Sequence, residues 1–284
     1  MANKAFSLTT QAGASIAPGI ELTGAATKFW RAYRPTIRGT YTFILILVVW
    51  EIVGRYVLTS RLMFAPVSAV AEEFVKLWAS GGLQQDMLVS FTALFFGFLI
   101  AAAVGITMGS FIAVSDAASE HFDPIINALY ATPLIALAPI LILVFGIGPA
   151  SKVAIVCLLA VFPILINTKA GIRSADESLI EAARSFGANR FEIFRLVLIP
   201  SALPFIVAGF RLGIGKGLIA VFIGELFGAR EGLGYLILLS SQSFNIPGMF
   251  VGVIILAGTG VLLVALFEFL EKKIAPWRQF ELKA

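Results

Sequence analysis

Three charged residues, Arg211, Lys216 and Glu225, lie within a run from Leu203 to Leu226 that is otherwise apolar. An ionised side chain near a bilayer centre costs about 2.5 to 3.5 kcal/mol on insertion scales, so such residues face protein or water and mark pathways for solutes or ions. At about 100° per residue, Arg211 and Glu225 fall within roughly 40° of each other on a helix, and Lys216 points well away from both. Lys216, the deeper cation, is a candidate for lining a translocation cavity and lowering the barrier for an anionic solute. Arg211 and Glu225 join it as pathway candidates. The alternatives are that Arg211 snorkels to the membrane edge and that Lys216 pairs with a neighbouring helix. Pro133 and Pro139, in an earlier apolar run, interrupt helical hydrogen bonding and are candidate hinges of the same pathway, or static kinks.

Other chemistries find little support. Cys157 is the one cysteine and His121 the one histidine, which removes an intramolecular disulfide and a cysteine-built metal cluster and leaves no material for a histidine site or a catalytic triad. A phosphate loop needs G-x-x-x-x-G-K-[ST]. The Gly215-Lys216 pair has Phe210 at the first glycine's place and Gly217 where the hydroxyl belongs, so this chain does not hydrolyse ATP.

The elements that would position those charges follow from composition. Of 284 residues, 59% are hydrophobic and 13% charged, against about a quarter charged in a soluble domain. That excess of apolar surface requires lipid as a partner and argues against nucleic-acid binding. A spanning helix needs about 20 mainly apolar residues, and six runs qualify: Thr40 to Leu58, Val89 to Val114, Ile125 to Ile147, Pro149 to Thr168, Leu203 to Leu226 and Met249 to Leu270. Pro163 interrupts the fourth. The expected organisation is a leader over 1–39, one all-α membrane domain over 40–270 and a tail over 271–284.

Lysines and arginines divide unevenly. The leader, the segment between the fourth and fifth runs, and the tail carry fourteen, while the opposite connections hold Arg55, Arg61, Lys76, Lys152 and Arg230. The positive-inside rule then places both termini in the cytoplasm. The connection Ser115 to Pro124 dissents, with Asp116, Glu120 and Asp123 and no cation. Gly209, Gly213 and Gly217 form a G-x-x-x-G ladder, with Gly105 and Gly109 in the second run, at the spacing that lets helix backbones approach.

The segment from about 169 to 200 is patterned as two short cytoplasmic helices. Ser174 with Glu177 predicts a capping box. Leu179, Ala183 and Phe186 recur at helical spacing, and Gly187 follows where a left-handed residue would end the helix. Asn189 with Glu192 repeats the cap, Ile193, Phe194, Val197 and Leu198 supply an apolar face, and Pro200 marks entry into the fifth span. An ordinary amphipathic surface helix would show the same features.

Glu181-Ala182-Ala183, then Gly187, then Val197-Leu198-Ile199-Pro200, resembles the EAA loop of ABC importer permeases, the inner-membrane components of binding-protein-dependent transport systems. The similarity runs from about Leu83 to Leu270. It points to the nitrate, sulfonate and taurine branch through Thr132-Pro133-Leu134-Ile135-Ala136 and the stretch from Gly228 to Gly234-Tyr235.

The resemblance implies a type I ABC importer permease fold with six transmembrane helices in a bacterial inner membrane. It also implies a coupling helix in which Glu181, Ala182, Ala183, Arg184, Phe186 and Gly187 contact an ATPase. Its further implications are two cytoplasmic ABC ATPase subunits, an extracytoplasmic solute-binding protein and a second permease copy, most economically a homodimer. No cofactor is expected in this chain, since ATP and Mg belong to the partner ATPase. The implied cargo is a small anion such as a sulfonate, taurine, nitrate or a carboxylate. The competing class, a secondary transporter driven by an ion gradient, would need an intramembrane acidic site, for which Glu225 is the candidate.

Overall fold

Apolar runs of this length enter hydrocarbon only if each satisfies its own backbone, and in the computed structural model, which describes residues 39–58 and 64–274, they do so as helices. The leader over 1–38 and the tail beyond Ile274 lie outside the described residues. The chain divides into two compact units at Ile52 and Val53. The first helix, α1 (Gly39–Val57), straddles that division and ends in a π-helical turn. The second unit continues with α2 (Val67–Ala79), α3 (Gly82–Val114), α4 (Asp116–Ala131), α5 (Ala138–Phe145), α6 (Pro149–Arg173) and α7 (Glu177–Ser185). It closes with α8 (Arg190–Gly228), α9 (Leu233–Gln242) and α10 (Ile246–Ile274).

Helices α1, α3, α6, α8 and α10 are long and apolar enough to cross a membrane. The expected third span, Ile125 to Ile147, is not one helix: α4 and α5 meet across a break with a bend of 83°. Thr132 takes an extended ψ of 143°, as the steric demand of the following proline requires. A 3-10 turn over Leu134–Leu137 then leads into α5. Pro139 occupies the first turn of α5, where a missing N–H leaves no bond unmade. It starts a helix and does not hinge one, so the break belongs to Pro133 alone.

The bent pair still traverses the layer. Asp116, opening α4, pairs with Arg173 at one end of α6, whereas α5 leads to Pro149 at the other. The 25 residues of α6 separate those ends by about 37 Å at 1.5 Å per residue. Counted this way the described residues hold six spans, in the all-helical architecture expected of them.

Helix α6 lies at the centre, packed most extensively against α3 and α8. It runs unbroken through Pro163, contrary to the expected interruption, and the Asn167 side-chain amide donates to the Pro163 carbonyl at 2.8 Å. Close approach to α3 depends on missing side chains: a Cβ on Gly109 would stand 2.7 Å from the Leu165 carbonyl oxygen, and one on Gly105 2.8 Å from Ile164. Around these contacts Ile112, Ile126, Phe162 and Leu165 form one apolar cluster, and Leu94, Ala138, Ile155, Val156 and Val221 are part of another.

Candidate functional site

The segment between α6 and α8 is built from local rules. Ser174 closes α6 and donates its hydroxyl to the Gly171 carbonyl at 2.9 Å, so it cannot cap α7. Asp176 does so instead, accepting from the Ser178 amide at 2.8 Å, which corrects the expected Ser174–Glu177 box. At the other end the Ala188 amide bonds to Ala183 and the Gly187 amide to Arg184, at 3.0 and 2.9 Å. This is a Schellman closure, with Gly187 at φ +84°.

The Asn189–Glu192 capping box forms as read. Its short helix, however, does not stop at Pro200. The Ile199 amide bonds back to Phe194, giving a π turn over Phe194–Leu198 that accommodates the proline, and α8 continues without interruption to Gly228. No residue of α7 is buried. Glu181, Ala182, Arg184, Phe186 and Gly187 are exposed and Ala183 half-buried, while Phe186 at 92%, Phe191 and Leu179 leave apolar surface uncovered among the described residues.

Beside α8 a cavity of about 240 Å³ is lined by Lys216, Ile219, Leu159, Tyr130 and the Thr132–Ile135 break. Lys216 is exposed, and among the described residues it has no ion-pair partner. Pro133 lines this cavity and Pro139 does not. Arg211, about 140° away around the helix, is bound to Glu268 at 3.6 Å and to Glu271, both on α10.

Glu225 faces the opposite way, with no solvent exposure. It accepts from the Ser90 hydroxyl at 2.8 and 2.9 Å, from the Gly234 amide at 2.8 Å and from Lys152 Nζ at 3.4 Å. Ser90 in turn accepts from the Leu233 amide, and Asp86 from the Gly232 amide, at 2.8 and 2.7 Å. Three amides at the start of α9 are thus capped by α3 and α8 side chains, because Gly232 offers no cap of its own. Lys152 and Ser90 were missed as members of this group. An isolated lysine near the start of an apolar run was the available signal. Fully bonded, Glu225 offers no open acidic site for a coupling ion.

At the other end of α6, Lys169 binds both carboxylate oxygens of Asp123, and Arg173 binds Asp116 at 3.2 Å. Two of the three acids in the connection that dissented from the charge rule are therefore paired with cations at the end of α6. Among the described residues no three His, Cys, Asp or Glu side chains converge as a metal site.

Residues 101–276 match the family model described as binding-protein-dependent transport system inner membrane component. The chain is similar to the putative aliphatic sulfonates transport permease protein SsuC of Bacillus subtilis (strain 168), with 32% identity over 85% of this chain and 88% of the relative. It is also similar to the formylaminopyrimidine transport permease protein ThiX of Halalkalibacterium halodurans, with 31% identity over 89% and 98%. In fold it resembles a solved inward-facing structure of the MetNI methionine ABC transporter, with a TM-score of 0.51 and 24% identity, covering 70% of this chain and 94% of that one.

Proposed function

The chain belongs to the family of binding-protein-dependent transport system inner membrane components, and from that premise we propose that it pairs with a second copy to form a translocation pathway driven by two cytoplasmic ATPases. It is the multi-pass membrane subunit of an ABC importer, a transport subunit that works with an ATPase and a solute-binding protein. Both termini are cytoplasmic in this reading, and ATP and Mg are held by the ATPase subunits. Helix α7 of each copy sits in a groove on one ATPase.

One observation carries this reading. A capped, glycine-terminated helix with no buried residue and an almost fully exposed phenylalanine stands next to the central span. Exposed apolar groups in a rigid frame call for a partner surface. Ala182 and Ala183 let the helix axis approach that surface, and Glu181 and Arg184 offer charged contacts. ATP draws the ATPases together and closes the inner gate, and hydrolysis resets it.

The cargo of this reading is a small anion of the sulfonate, taurine, nitrate or carboxylate kind. Its support is the exposed Lys216 ammonium in the cavity and the similarity to the sulfonate permease. A second reading, an uncharged heterocycle, is favoured by the similarity to the formylaminopyrimidine permease. Copurification with an ATPase and vanadate-sensitive uptake test the energy source. The solute carried by a copurifying binding protein decides between the two cargoes: an anion supports the first, a neutral ring the second.

A further inference from the structure

We propose that Asp123 and Lys169, backed by Asp116 and Arg173, are the tie through which displacement of the cytoplasmic segment reaches the Lys216 cavity. The inference rests on the ATPase-driven reading above and adds the residues that transmit the motion.

The path begins at α7, which follows Arg173 after only three residues. Helix α6 is a continuous rod in the centre of the fold. Helix α4 is only lightly built into that packed centre: it buries Ser119 and Ile126, and Ile126 meets Phe162 and Leu165 of α6. In its cytoplasmic half it is joined to α6 by side-chain links.

Lys169 holds both oxygens of Asp123, and the Ser119 hydroxyl donates to the same carboxylate at 2.5 Å and fixes its orientation. Arg173 adds a second link to Asp116 and donates to the Ala113 carbonyl at 3.4 Å. The Lys169 and Asp123 side chains are only 18% and 33% exposed, so water screens the attraction less than at an open surface.

At its far end α4 delivers Tyr130 and Thr132 to the cavity wall, immediately before the Pro133 break. Beyond the break, α5 is anchored by Ala138, 1% exposed in the central cluster. Helix α4 is therefore a lever with a pivot at Thr132–Pro133, tied by its acidic half to the end of α6 that bears the coupling segment. Asp123 and Lys169 act as positioning residues and touch no solute.

The test uses the assembled transporter in proteoliposomes with its binding protein, measuring solute taken up per ATP hydrolysed. Asp123→Asn and Lys169→Gln should each lower that ratio by about fivefold or more, the scale of coupling between distant sites, while ATP hydrolysis continues. Exchange of the two charges, Asp123→Lys with Lys169→Asp, should recover most of it. A second measurement needs no charge variant. In a chain carrying Tyr130→Cys and Cys157→Ser, the rate of thiol labelling should differ between nucleotide-free and ATP-bound states.

Equal labelling rates, an unchanged ratio in the single variants, or an exchanged pair no better than the singles would each overturn the tie. Since the unaltered transporter is assayed beside them, ATP-driven uptake there leaves the parent reading standing whatever becomes of the tie.

Discussion

Lys216 and Glu225 stand nine residues apart on α8 and face opposite sides of it, since nine steps of about 100° make two and a half turns. Lys216 opens on a cavity, whereas Glu225 is sealed among Ser90, Lys152 and the start of α9. One helix thus separates an ammonium that lines a cavity from a buried carboxylate that ties α8 to α3, α6 and α9.

Lys216→Met removes the ammonium and keeps the aliphatic stem. Uptake of an anionic solute should fall by about tenfold, the effect of roughly 1.4 kcal/mol on the barrier, with assembly and basal ATP hydrolysis retained. Initial uptake rates checked against the amount of assembled complex give the answer, and unchanged uptake would remove Lys216 from the pathway.

Glu225 is expected to matter for stability. Glu225→Ala leaves Lys152 buried without its carboxylate, and breaking one partner of a buried pair costs roughly 3 to 5 kcal/mol. The detergent-solubilised protein should melt at a clearly lower temperature. The double variant Glu225→Gln with Lys152→Met, which removes both charges and keeps a hydrogen-bonding group near Ser90, should lose less than Glu225→Ala alone.

Gly187 has a φ of +84°, and a Cβ there would meet nothing within 4 Å. The cost of a side chain is therefore conformational, about 1 to 2 kcal/mol for an ordinary L-residue. Gly187→Val should loosen the end of α7 and weaken ATPase association, and Gly187→Asn, which tolerates the left-handed region, should lose little. Comparable losses in the two variants would show that Gly187 is not chosen for its backbone.

Asp176 titrates below the usual carboxylate range, because Ser178 donates to it from its hydroxyl and from its backbone amide. A carboxyl that ionises more readily in the folded state stabilises that state wherever it is ionised. The α7 cap is thus intact above the ordinary carboxylate range and is lost as pH falls through the depressed value. Hydrogen exchange at Ser178, compared at each pH with Asp176→Asn, should show protection that falls on acidification in the native chain and stays level in the variant.

How far the sequence carried this account depends on how local each signal was. Five spans and the Asn189–Glu192 cap were legible because hydropathy and capping act within a turn or two. The α8 extension through Pro200 was not, since a π turn and a helix end look alike until the Ile199 amide finds Phe194. Pro133, Pro139 and Pro163 carry the same local message, yet one breaks a span, one opens a helix and one is absorbed inside α6. Tertiary packing decides between those outcomes.

Lys152 was hidden for a different reason: its partner Glu225 lies 73 positions away. The acidic stretch around Asp116 and Asp123 violated the charge rule only while its partners, Arg173 and Lys169, were out of sight.

Engagement of an ATPase by α7 is what the rest depends on. A single cysteine at Ala182, in a chain with Cys157→Ser, tests it by cross-linking in native membranes that contain the whole transporter. A covalent product joining this chain to the ATPase subunit is expected, formed from the cytoplasmic side and lost when Gly187→Val disrupts the helix end. Labelling of that cysteine by an impermeant reagent from outside the cell, or no ATPase product in an assembled, active transporter, would contradict it.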